Sequence, residues 1–220
     1  MRMPRYAVTA FALAVLSISA RRAESQAPQQ PALNPATDAA IRPIVDRARA
    51  ANLPVELLIA KAREGEVRRA PVERIESAVR QLAERIATAH DALTPNPTDR
   101  EVEAAADALK AGVPRETLRA MRAAGKEASL AVPIGVLTQL VLRGVPVERA
   151  SVQVVNLLQR GALSGHFIAL DDRVRADVLA GKRPDESLDL RLKGIFPNLP
   201  QQATADAAGL QTTAGNKKPR

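Results

Sequence analysis

One short pattern, repeated along the chain, constrains the fold more than any other feature: a small or polar residue, usually an apolar one, then Pro-x-Glu. It reads Asn52-Leu53-Pro54-Val55-Glu56, Ala70-Pro71-Val72-Glu73, Gly112-Val113-Pro114-Arg115-Glu116 and Gly144-Val145-Pro146-Val147-Glu148. Arg183-Pro184-Asp185-Glu186 is a weaker copy, and Val132-Pro133 keeps the junction with Gly135 where Glu would stand. Four residues after these prolines come Leu58, Ile75, Leu118, Leu137, Ala150 and Leu188. Such a run describes a corner between two helices. A glycine past the last turn adopts the left-handed conformation that ends a helix. Proline fits the first helical position, where a missing N–H costs nothing. Glutamate two residues on meets the positive end of the helix dipole. A helix-hairpin-helix DNA motif also uses glycines at a tight corner, but here proline takes the place of the second glycine and removes a phosphate-facing donor.

Between the corners the periodicity is helical. Ile75, Val79, Leu82, Ile86, Ala89 and Leu93 form one stripe, leaving Glu73, Arg74, Glu76, Arg80, Glu84 and Arg85 largely off it. Thr98-Asp99-Arg100-Glu101 is a capping box that opens the next helix after the breaker Thr94-Pro95-Asn96-Pro97. Ile134 to Leu142 is apolar nearly all round and is expected at the centre of the core. Val147 to Leu158 is its partner, and Phe167, Leu170, Val174 and Val178 continue the apolar stripe in a following helix. No stretch alternates as a strand does. The fold class is therefore all-α, with about eight or nine short helices. The corners are unevenly spaced, which favours an irregular bundle or stacked helical hairpins over a regular solenoid.

The N-terminus reads as an export signal. Arg2 and Arg5 precede the uncharged run Tyr6–Ala20, which is short for a membrane span but suits a secretory signal. Cleavage after Ala20 leaves Ile18 at −3 and Arg21 at +1; cleavage after Ala27 has Ser25 at −3 but Pro28 beyond the cut. The alternative is an uncleaved N-terminal anchor, since Arg21 and Arg22 balance Arg2 and Arg5. Residues 28–36 read as a Pro-rich linker, 37–193 as the helical domain and 194–220 as a disordered basic tail. The Thr94–Pro97 break can divide the domain into lobes over 37–93 and 98–193. The formal charge is +8, from 32 basic and 24 acidic side chains, yet residues 28–211 hold 25 basic against 23 acidic. The excess lies in the two ends, so no nucleic-acid partner is expected. The expected compartment is periplasmic or secreted, with membrane contact only if the N-terminal segment is retained.

The signal, the run Leu53-Pro54-Val55-Glu56-Leu57-Leu58-Ile59-Ala60-Lys61-Ala62-Arg63-Glu64-Gly65, Arg74-Ile75 and the later Gly-Val-Pro corners together resemble an uncharacterised family of exported all-helical proteins of high-GC bacteria. The resemblance covers roughly residues 50–193. Its shared motifs are corner residues, so it implies an architecture and no activity.

Chemistry is sparse. With no Cys, disulfides, thiolate metal sites and cysteine catalysis are excluded together. There are two His and no Trp, and no HExxH, P-loop, GxGxxG or SxxK run. Gly161-Ala162-Leu163-Ser164-Gly165-His166, followed by Asp171 and Asp172, is not a nucleophile elbow. Ser164 reads as a helix cap with His166 in the first turn, and His90 as a partly buried flank of the Ile75–Leu93 stripe. Asp171, Asp172 and Asp177 form an acidic group, but Arg175 and Arg173 stand four residues from Asp171 and Asp177, so intrahelical pairing on a solvated face is expected. The remaining polar candidates are Lys61 and Glu64. Lys61 shares a helical face with Leu57 and Leu58, so its stem can cross the core edge toward Glu64, and Gly65 admits a close neighbouring backbone. A buried Lys–Glu pair of this kind is either a binding site or a structural specificity element, and the structural reading is favoured. No catalytic residue, metal or cofactor is assigned. The expectation is a non-enzymatic exported module, an envelope scaffold or protein-binding protein. Exposed apolar side chains in Ile134–Leu142 or Val147–Leu158 would mark its interface. The alternative is a carboxylate-dependent hydrolase of cell-wall glycan, which needs a cleft carboxyl group with a raised pKa.

Overall fold

The computed structural model describes residues 32–125, 129–195, 197 and 199. Nine α-helices run in chain order through the described residues: α1 Pro35–Ala50, α2 Val55–Val67, α3 Val72–Ala92, α4 Asp99–Lys110, α5 Arg115–Ala124, α6 Ala131–Leu142, α7 Val147–Gln159, α8 Ser164–Leu179 and α9 Pro184–Ile195. All belong to one compact unit that begins at Leu33. The expected all-α class is what forms, and the corners are what divide it.

At the corner before each of α2, α3, α5, α7, α8 and α9 the chain passes through a left-handed residue: Asn52, Arg69, Gly112, Gly144, Gly161 and Gly181, with φ between 53° and 97°. The next N–H then donates back to the carbonyl five residues earlier. These bonds join Leu53 to Ala48, Ala70 to Gly65, Val113 to Ala108, Val145 to Leu140, Ala162 to Leu157 and Lys182 to Asp177, all at 2.9–3.1 Å. Together with the bond from each left-handed residue to the carbonyl three before it, they satisfy carbonyls that a helix end would leave without partners. Proline sits one place earlier than the sequence suggests. Pro54, Pro71, Pro114 and Pro146 are extended N-cap residues, and of the corner prolines only Pro184 opens its helix as the first residue. Pro133 is not a corner at all, because it is the third residue of α6, where the first turn leaves its missing N–H without consequence. Glu56, Glu73, Glu116 and Glu148 occupy first turns as expected. The residues four past the prolines are all buried.

Two helices organise the interior. α3 packs against α1, α2, α4 and α5, and α6 packs against α4, α7 and α8. α4 lies on both, α5 joins α3 to α7, and α9 closes over α8. The Thr94–Pro97 break is thus a bend beneath α3, and 37–93 and 98–193 are not separate units: the face that α3 turns to α4 and α5 is apolar and cannot be left in water. The interior is aliphatic, with Phe167 its only fully buried aromatic side chain among the described residues. Ile134, Val136, Leu137 and Leu140 are buried as expected of the apolar α6, while Leu142 at its end is exposed.

The domain ends also move. α1 begins at Pro35 rather than Thr37, because Asn34 caps it: the Asn34 side chain accepts the Ala36 N–H at 2.9 Å, and the Asn34 N–H donates to Glu66 at the end of α2 at 2.8 Å. At the other end α9 continues to Ile195, and both Ile195 and Leu199 join the core. Ile195 and Leu199 of the expected tail are therefore buried, because each has an apolar surface to cover. The signal and its two cleavage points, residues 28–31 of the linker and most of the tail lie outside the described residues, and Pro35 and Ala36 of the expected linker are instead the first residues of α1. Among the described residues no helix is long and apolar enough to cross a membrane.

Candidate functional site

Lys61 and Glu64 stand in one wall of an open cleft of about 360 Å³ formed by α2, α3 and α4. On α2 the positions are Leu57, Ala60, Lys61 and Glu64, and on α4 they are Glu103, Ala106, Asp107 and Lys110. Each set follows the i, i+3, i+4, i+7 spacing that puts side chains on one helical face. α3 lies against both helices and contributes Leu82 and Arg85. Apolar and charged side chains share the lining on all three helices.

The Lys61 Nζ donates to Glu64 Oε2 at 2.6 Å, and Arg68 reaches Glu64 Oε1 at 2.8 Å. The pair is not buried: the side chains are 32% and 39% exposed. One turn of helix brings them together at the rim, where the long Lys61 stem covers apolar surface and its ammonium stays wet. The Lys61 hydrogen bond, with its charge and those of Arg68 and Lys110, holds the Glu64 carboxyl below its ordinary range. The same pair also borders a smaller hollow of about 140 Å³ toward Gly65 and Ile75. Gly65 does permit a close approach, but by a side chain rather than a backbone. A Cβ placed there would lie 2.6 Å from Ile75 Cγ1 of α3.

The other polar candidates separate. Asp172 alone makes an intrahelical pair, with Arg175 at 3.2 Å. Asp171 turns to Arg143 at the end of α6. Asp177 is 5% exposed and receives Arg191 Nε and Nη2 at 2.7 Å each, Lys182 at 2.9 Å and the Ser187 hydroxyl at 2.8 Å. Those donors, Arg191 foremost, hold it well below the usual carboxylate range. The expected solvated acidic face is therefore split between two tertiary latches, because α9 and α6 bring guanidinium groups nearer than the same helix can. Among the described residues no group of His, Asp or Glu is placed to hold a metal. Ser164 is the first residue of α8 and not its cap; Leu163 is the cap, and its N–H donates to His166 Nδ1 at 3.0 Å. His90 is half-buried, as its position predicts.

Sequence reading missed four features. Glu101 of the capping box is almost completely buried, and its second oxygen leaves the box for α5 and α6. The α4 wall was legible as a helical face, but not the helix it would oppose. Arg85 carried a readable signal: Gln81, Leu82, Thr88 and Ala89 hold the neighbouring helical positions, so no acid on α3 can pair with it. A second, more apolar groove of about 560 Å³ lies between α1 and α3, lined by Ala40, Ile44, Leu53 and Ala83 with Arg47 and Glu84 beside them.

Set beside known proteins, the chain matches no family model, no curated protein and no solved structure.

Proposed function

We propose that the chain is an exported, non-enzymatic helical module, an envelope scaffold or protein-binding protein, and that the cleft between α2, α3 and α4 is its binding surface. The composition of that cleft carries the reading. Its lining side chains are aliphatic or charged, with no hydroxyl or imidazole among them, and its Lys61 and Glu64 are paired with each other, which suits apolar contact and ion pairing with a partner. The compartment follows from the charged and apolar order of the N-terminus, and the resemblance of the corners to exported helical proteins agrees with it. Intact mass of the protein from fractionated cells tests export: a periplasmic or secreted species ending its leader at Ala20 or Ala27 is expected, and a full-length membrane species points to the anchor.

A photo-crosslinking residue at Ala60, on the exposed α2 wall, tests the surface. A discrete protein adduct is expected in intact cells, absent when the same residue replaces the exposed Arg173 on α8. No Ala60-specific adduct removes this surface from the proposal. A second reading, the glycan hydrolase, draws on Glu64, Glu103 and Asp107 in the same cleft. Against it, Glu64 is held in the anionic direction rather than the acid one, and Phe167 is fully buried and cannot grip a sugar. Release of sugar fragments from cell-wall glycan by the wild-type chain, abolished in Glu64→Gln, would favour this reading over the first.

A further inference from the structure

We propose that Arg85 binds a carboxylate in the α2–α3–α4 cleft, so that the ligand is a polypeptide chain end or a small carboxylic acid. The proposal rests on the reading of that cleft as a binding surface and names the chemistry it selects. Several arginines are engaged, Arg80 by Glu76 four residues earlier, Arg143 by Asp171, Arg122 by Glu101 and Arg191 by Asp177, while Arg47, Arg69, Arg74, Arg100 and Arg173 stand exposed in solvent. Arg85 differs. It is half-buried, and among the described residues its guanidinium makes no ion pair or hydrogen bond. The Nε is buried without a protein acceptor, as in Arg115 and Arg122, but those two are paired through Nη2 with Asp91 and Glu101. A desolvated, unmatched donor is costly, and in native structures such a group calls for a reason.

The surroundings supply one. The half-buried stem fixes the group in the cleft beside Leu82, so little side-chain entropy is lost when an acceptor arrives. Of the carboxylates around it, Glu64 is committed to Lys61 and Arg68, and Glu103 and Asp107 are exposed on the α4 wall, outside ion-pair distance. Lys110 adds a second positive charge to the same cleft, and Lys61 is occupied by Glu64. A planar fork with a neighbouring ammonium matches a carboxylate, whereas a cationic ligand would have to compete with Arg85 itself. Leu57, Ala60, Leu82 and Ala106 would then receive the apolar part of the ligand.

The test uses the isotope-labelled full chain and three probes: acetyl-trialanine as free acid, its C-terminal amide, and succinate. The free acid is expected to shift the amide signals of Ala60, Leu82 and Ala106, and the amide form is expected to leave them in place. Succinate binding as well as the tripeptide acid assigns the site to small acids; tripeptide binding alone assigns it to chain ends. Arg85→Gln is expected to weaken the free acid by about tenfold or more, while Arg80→Gln, outside the cleft, leaves it unchanged. Equal shifts with acid and amide, wild-type affinity in a folded Arg85→Gln, or no cleft shifts at about 10 mM probe would each overturn the proposal. Should Arg85→Gln fail to fold, the acid-against-amide comparison on the wild-type chain decides alone. Loss of carboxylate binding with a surviving Ala60 adduct removes only the role of Arg85. Carboxylate binding without an adduct removes the protein partner and leaves the site.

Discussion

Glu101 holds three helices together through a single carboxylate. One oxygen accepts the Thr98 N–H at 2.8 Å and the Thr98 hydroxyl at 3.0 Å, which closes the α4 capping box. The other accepts the Leu130 N–H at the start of α6 at 2.8 Å and Arg122 of α5 at 3.0 Å. Burial opposes the charge, but the N–H, hydroxyl and Arg122 contacts outweigh it and the carboxyl is held below its ordinary value. Replacing it with Ala leaves the Leu130 N–H and Arg122 without their partner inside the fold. Glu101→Ala is expected to cost about 3 kcal/mol and Glu101→Gln about 2 kcal/mol in denaturant unfolding. Folding depresses this pKa, so the folded state holds the proton less tightly than the unfolded chain. The stability it contributes is complete above the ordinary carboxyl value of 4.5 and is lost as pH falls through the lower folded value. Unfolding temperature should therefore drop on acidification below that value, and Glu101→Gln should flatten the drop. An unchanged acid limb in the variant would show that other carboxylates, Asp177 first among them, carry it. The capping box itself was plain in the sequence. Its outward-facing second oxygen was not, since nothing in the local run says which later segment will arrive there.

Each helix is delimited by chemistry a few residues long, so the corners give predictions of opposite sign. Gly112 has φ of 93° with open space around it, and Gly112→Ala is expected to lose about 1 kcal/mol from backbone strain alone. Arg69 holds the equivalent place with φ of 54°, and Arg69→Gly is expected to gain up to about 1 kcal/mol. The helical glycines divide in the same way. Gly135 in α6 has nothing within 4 Å of the place a Cβ would take, so Gly135→Ala should gain about 1 kcal/mol from helix propensity. Gly65→Ala gains the same propensity but drives a Cβ to 2.6 Å from Ile75, and overpacking of about 1–3 kcal/mol should leave it net destabilised. Thermal unfolding of the four variants checks all four signs. Gly65, in the polar run Arg63-Glu64-Gly65-Glu66, and Gly135, in the apolar α6, are both glycines inside helices, and neither local run says what packs against the glycine. Only the arrival of α3 against α2 separates them.

At the scale of the molecule, α3 touches helices on both sides of the Thr94–Pro97 bend. One cooperative transition is expected in calorimetry, with van't Hoff and calorimetric enthalpies equal; two resolved transitions would restore the lobes. The charge of +8 also reads differently once divided, because residues 28–211 carry 25 basic and 23 acidic side chains. The cleft repeats that balance in miniature, with three cations and three carboxylates among its lining residues. By itself the sequence determined what is local: helix rather than strand, the corners, the first-turn glutamates, the aliphatic stripe of each helix and the capping box. Those follow from φ/ψ preference, dipole and period, which act within a few residues. The tertiary structure alone decided which faces meet. It placed α2 and α4 as opposing walls over α3, left Lys61 and Glu64 at a rim instead of in the core, sent Asp171 and Asp177 to other helices, and kept Arg85 without an acid. Ion pairs and clefts depend on separations in space, and an aliphatic stripe fixes which side of a helix is buried without naming the helix that buries it.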